Sequence, residues 1–64
     1  MNIEVNNTKK RIRKLREERD QLFSIIDELT YAEQVITLES ITEITHLIDD
    51  EKNLIKELLN IENN

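Results

Sequence analysis

The sequence predicts an all-α protein, an antiparallel two-helix hairpin of coiled-coil character that dimerises into a four-helix bundle. Three observations predict it. Apolar residues recur every three or four positions, the spacing that lines one face of a helix. Gly, Pro and Cys are all absent from the 64 residues, so the punctuation on which sheets and tight turns rely is missing. Charge is also segregated. Residues 1–20 hold seven basic side chains against Glu4, Glu17, Glu18 and Asp20, a net of +3, and residues 21–64 hold Lys52 and Lys56 against ten acids, a net of −8.

Helix 1 is expected over about 3–29 of a single domain, 1–64. Asn2 is suited to cap it, with Glu4 in the first turn where a negative charge complements the helix dipole. Val5, Ile12, Arg19 and Ile26 fall seven apart, and Thr8, Leu15, Leu22 and Leu29 follow each by three. That is an a/d seam over four heptads, interrupted by the charge of Arg19. Phe23 and Ile25 widen its lower half. Asn6, Asn7 and Thr8 are poor helix formers, so the first two turns are expected to be weak.

The stretch Thr30-Tyr31-Ala32-Glu33 spells a capping box, which places a turn at about 29–31 and starts a second helix over about 31–60. Its stripe runs through Ile41, Ile44, Ile48, Ile55 and Leu58, flanked by Leu47, Leu54, Leu59 and Ile61, while Tyr31, Val35 and Leu38 fall out of phase. Folding about this turn gives arms of nearly equal length. Two other architectures compete: one uninterrupted helix through residue 60, and a short connecting helix over 31–38 ahead of a second capping box, Ser40 to Glu43.

The charge pattern favours the hairpin. Cations crowd the start of helix 1, and Asp49, Asp50, Glu51, Glu57 and Glu62 crowd the end of helix 2, each opposed to its own helix dipole. Antiparallel folding offsets both, bringing Lys10 and Arg11 level with Asp49 and Asp50, and Arg16 near Glu43. Such exposed pairs set register more than they stabilise. Arg19, on the seam, is expected to snorkel over its neighbours, with a register-setting pairing to Glu39 or Glu43 as the alternative.

No catalytic pattern emerges, and the protein is expected not to be an enzyme. Glu43 and His46 form a Glu-x-x-His pair of the kind that di-iron bundles project inward, but they lie well away from the apolar stripe, so no metal site or cofactor is expected. Ser24 and Ser40 lack the glycine-bearing elbow of a nucleophile. No apolar run exceeds three residues, which predicts neither a membrane span nor a secretory segment, and the lack of Cys suits a reducing cytoplasm.

The turn region resembles the Rop (Rom) family of plasmid RNA-binding hairpins. The resemblance rests on Glu28-Leu29, Glu33-Gln34 and Glu39-Ser40, with the turn in the same place. It implies an antiparallel four-helix bundle built from two hairpins. The RNA-contacting face of that family falls here on Lys10, Lys14, Glu18 and Ile25, which do not match its polar and aromatic pattern.

The expected function is that of a small bacterial or phage regulator or adaptor. It would act by helix-mediated protein–protein interaction, as a homodimer that engages a larger protein. The interface is expected on Ile12, Leu15, Leu22, Phe23, Ile26, Leu29, Ile41, Ile44, Ile48, Ile55 and Leu58. Two alternatives stand beside it. One is an RNA-binding regulator using a basic face made of Lys9, Lys10, Arg13, Lys14 and Arg16, disfavoured by the acidic chain and the absence of an aromatic in that stretch. The other is an acidic nucleic-acid mimic using the carboxylates of helix 2.

Overall fold

The computed structural model describes residues 2–63, so Met1 and Asn64, the ends of the expected unit, lie outside the described residues. Helix α1 spans Ile3–Ile25, a single 3-10 turn covers Ile26–Glu28, and helix α2 spans Tyr31–Asn63. The helices pack side by side in a slender body of 51 × 15 × 10 Å. There is no strand among the described residues.

Helix α1 starts where Asn2 caps it. The Asn2 Oδ1 accepts the Val5 backbone N–H at 3.2 Å, satisfying one of the donors a helix start leaves open. Thr8 is 1% exposed, unusual for a hydroxyl. It donates to the Glu4 carbonyl at 2.7 Å and accepts from Arg11 Nη2 at 2.8 Å, so its polarity is met locally.

The chain turns without glycine and without any residue at positive φ. After Ile25 the helix tightens into the 3-10 turn, and Leu29 then becomes extended at φ −90°, ψ 156°. The capping box forms: Thr30 Oγ1 accepts the Glu33 N–H at 3.3 Å, and the Glu33 carboxylate accepts the Thr30 N–H at 3.0 Å. Gln34 joins both sides of the corner, its Nε2 donating to the carbonyls of Ile26 at 3.0 Å and Leu29 at 3.4 Å. The Ile26 carbonyl also accepts the Leu29 N–H at 3.2 Å, the bond that closes the 3-10 turn, so Gln34 supplies it with a second donor. Helix 1 thus ends as an α-helix at Ile25, earlier than 29, because its last turn is 3-10.

Helix α2 is unbroken for 33 residues, roughly 50 Å at 1.5 Å per residue. This replaces both competing architectures: the chain bends at Leu29–Thr30, and Ser40 lies inside a continuous helix rather than at a new start. The longer α2 also means that the two arms are unequal.

The core is narrow. Val5, Ile12, Ile41 and Ile48 are buried, with Ile48 at 2% exposure. Leu15, Leu22, Ile26, Leu29, Ile44, Ile55 and Leu58 are half-buried along the same seam. Two polar positions, Gln34 and Thr37, carry the α2 seam on to the corner, where both are half-buried. The phase near residue 35 is therefore undisturbed; it is only occupied by polar residues there.

Candidate functional site

The hairpin presents two long flanks, one on each side of the seam, and they differ in chemistry. Register comes from Arg11 and Glu51, whose guanidinium and carboxylate meet twice, Nε to Oε1 at 3.1 Å and Nη2 to Oε2 at 3.2 Å. Arg11 therefore pairs with Glu51 rather than with Asp49 or Asp50. Among the described residues this is the one ion pair, so Arg16 with Glu43 does not form. The 3-10 turn places the fold axis near residue 31 instead of 30, which shifts the pairing along α2.

One flank is cationic at its open end. Lys9, Arg13 and Arg16 of α1 and Lys52 of α2 border a groove floored by Ile12 and Ile55, and none of the lining residues is acidic. Towards the corner the same rows change character. Phe23 follows Lys9 and Arg16 at seven-residue spacing and is 51% exposed; Leu38 precedes Lys52 by fourteen and is also exposed. Arg19 bridges the helices here, its Nη1 donating to Thr45 Oγ1 at 3.2 Å. It meets neither Glu39 nor Glu43, and its Nε is buried without a partner. The expected choice between snorkelling and a carboxylate pair is thereby replaced by a neutral partner.

The opposite flank is apolar with balanced charge. Leu15 and Leu47 line a groove whose rim carries Arg11 and Lys14 against Glu18 and Glu51. Leu47, Leu54 and Ile61 continue along α2 at seven-residue spacing, all exposed, with Ile61 at 73%. Ile25 stands exposed near the corner of the corresponding α1 row. Lys14 thus lies on this side and Lys10 lines neither groove, so the five basic residues singled out in the sequence do not share one face. Lys52 joins three of them, a neighbour 36 or more residues away that only the antiparallel register could reveal.

The remaining chemistry is sparse. Glu43 and His46 are exposed, and no group of three potential metal ligands occurs among the described residues. Ser24 donates its hydroxyl to the Gln21 carbonyl at 2.6 Å. Among the described residues no helix is long and apolar enough to cross a membrane. Comparison with known proteins yields no matching family model, curated relative or solved structure.

Proposed function

We propose that the protein is a non-enzymatic interaction module that pairs with a second copy of itself and acts on a larger protein through its helix surfaces. The observation that carries this is the apolar flank of Leu47, Leu54, Ile61 and Ile25, left uncovered beside a core with few buried side chains. Rows of exposed apolar side chains of this kind mark surfaces that another chain covers. A two-fold axis would bury it in a four-helix core.

Charge supports the choice of flank. The balanced rim of Arg11, Lys14, Glu18 and Glu51 can set cations against anions when it meets a copy of itself. The other flank does so only when docked end to end, where Lys9, Arg13, Arg16 and Lys52 would meet the groove of Leu38 bordered by Glu39 and Glu43. Docked corner to corner it would oppose those cations with themselves. Sedimentation equilibrium at micromolar concentration should give twice the chain mass, with a melting temperature that rises with concentration. A concentration-independent monomer would remove the self-association from this reading.

A second reading, nucleic-acid binding through the basic face of the first helix, draws on the cluster of Lys9, Arg13 and Arg16. It requires a steep fall in affinity with salt.

A further inference from the structure

We infer that the cationic flank is the docking site for an amphipathic helix of a partner protein, acidic over one half and apolar over the other. The inference rests on the reading of the protein as a self-pairing interaction module, because the second copy would then occupy the opposite flank and leave this one outward.

The flank is divided along its length, and that division specifies the ligand. At the open end four cations surround two isoleucines, an arrangement that takes carboxylates at its rim and an apolar side chain at its floor. Nearer the corner Phe23 and Leu38 are exposed. Leu38 lines a shallow groove with Val35 and Thr42 that Glu39 and Glu43 border, so an apolar segment fits there and an acidic one is repelled. From Lys9 to Phe23 the α1 row extends roughly 21 Å at 1.5 Å per residue, the length of about four turns of a docked helix. Arg19, half-buried in the middle, has Nη1 engaged with Thr45 but keeps its positive charge, so the cationic character reaches that level before the apolar residues begin.

Nucleic acid matches this surface less well. Isoleucines on the floor and the apolar half beyond give phosphates nothing to bind, and no aromatic stands among the four cations to stack a base. A chain of net charge −5 also repels a polyanion at long range, whereas a short acidic segment meets only the local field.

The test uses the full chain and a labelled synthetic helix of about sixteen residues, matched to that span. Glutamates fill one half of the peptide, and leucines at helical spacing fill the other. A peptide of the same composition with its glutamates evenly spread is the control, and a single-stranded RNA of similar length is the third probe. Fluorescence anisotropy should show the divided peptide binding most tightly. Lys52→Glu or Arg16→Glu should weaken it about tenfold or more, while Lys10→Glu, the same charge change outside both grooves, should alter it less than about twofold. Circular dichroism of each variant establishes that it is folded. Equal loss in Lys10→Glu and Lys52→Glu, equal binding of the evenly spread peptide, tighter binding of the RNA, or no peptide binding would each overturn the assignment. Sedimentation of the same samples keeps the two readings apart: a monomer with the expected peptide pattern removes self-pairing but keeps the groove, and a dimer blind to the peptide removes the groove alone.

Discussion

Arg19 and Thr45 meet across the hairpin, the arginine Nη1 donating to the threonine Oγ1 at 3.2 Å while Nε of the same guanidinium is buried without a partner. A charge on the seam is therefore held by a single neutral contact. Thr45 does not depend on it, since its hydroxyl also donates to the Ile41 carbonyl at 2.9 Å. Arg19→Leu removes the orphaned donor and adds apolar surface at a seam position. Stability at fixed protein concentration should rise by about 1 kcal/mol, measured by chemical denaturation. A fall of that size would show that the guanidinium is better satisfied in solution than this geometry allows.

The corner should depend on Thr30 and Glu33. Thr30→Ala removes the cap of α2 and should cost about 1 kcal/mol. The Glu33 carboxyl is held below its ordinary value of 4.5, first by the Thr30 backbone N–H and then by the Thr30 hydroxyl. Its stabilising contribution is full above that value and is lost as pH falls through the depressed one. Acid titration of thermal stability should therefore show a smaller decline in Glu33→Gln than in the parent. Parallel declines would separate the capping contact from the acid response.

The pairing of Arg11 with Glu51 is bidentate but open to solvent, with side-chain exposures of 50% and 24%. A double-mutant cycle with Arg11→Ala and Glu51→Ala should return a coupling of about 0.5–1 kcal/mol, reduced by salt. A much larger, salt-insensitive value would mean that another surface covers the pair.

Leu54→Glu places a charge in the middle of the exposed α2 row, away from the buried residues of the hairpin. It should halve the mass seen in sedimentation while the helical signal persists at raised concentration. An unchanged dimer would move the self-pairing surface elsewhere.

Much of this arrangement was legible residue by residue. The α1 seam from Val5 to Leu29 follows the heptad spacing at every position, Arg19 included. On α2 the spacing exposed only the apolar members. Gln34, Thr37 and Glu51 share that seam, but polar side chains give no periodic signal, and their places become evident only once α1 packs against them. The capping box was visible because its chemistry is local. The 3-10 end of the first helix was not, since nothing in Ile26-Asp27-Glu28 distinguishes it from a further α-helical turn. Register suffered from the same cause, and with it the partner of Arg11. The cationic groove required both helices: Lys9, Arg13 and Arg16 form a recognisable helical set, but Lys52 is a single lysine in an acidic stretch until the register is known.

A corner built without positive φ has a topological consequence. Leu29, at ψ 156°, is where the backbone leaves the helical path, and it has no conformational specialisation that would forbid a straightened form. Straightened, the chain would present the same seam to another copy that it presents to itself, differing mainly in the bonds of Gln34 to Ile26 and Leu29 and of Thr30 to Glu33. Which connectivity forms is then a contest between tethered and free partners. With so short a connection, the chain's own second helix stands at an effective concentration of order millimolar, well above that of neighbouring molecules in ordinary solution. The closed hairpin prevails by proximity, and exchange between chains becomes competitive only when the protein is crowded to comparable levels.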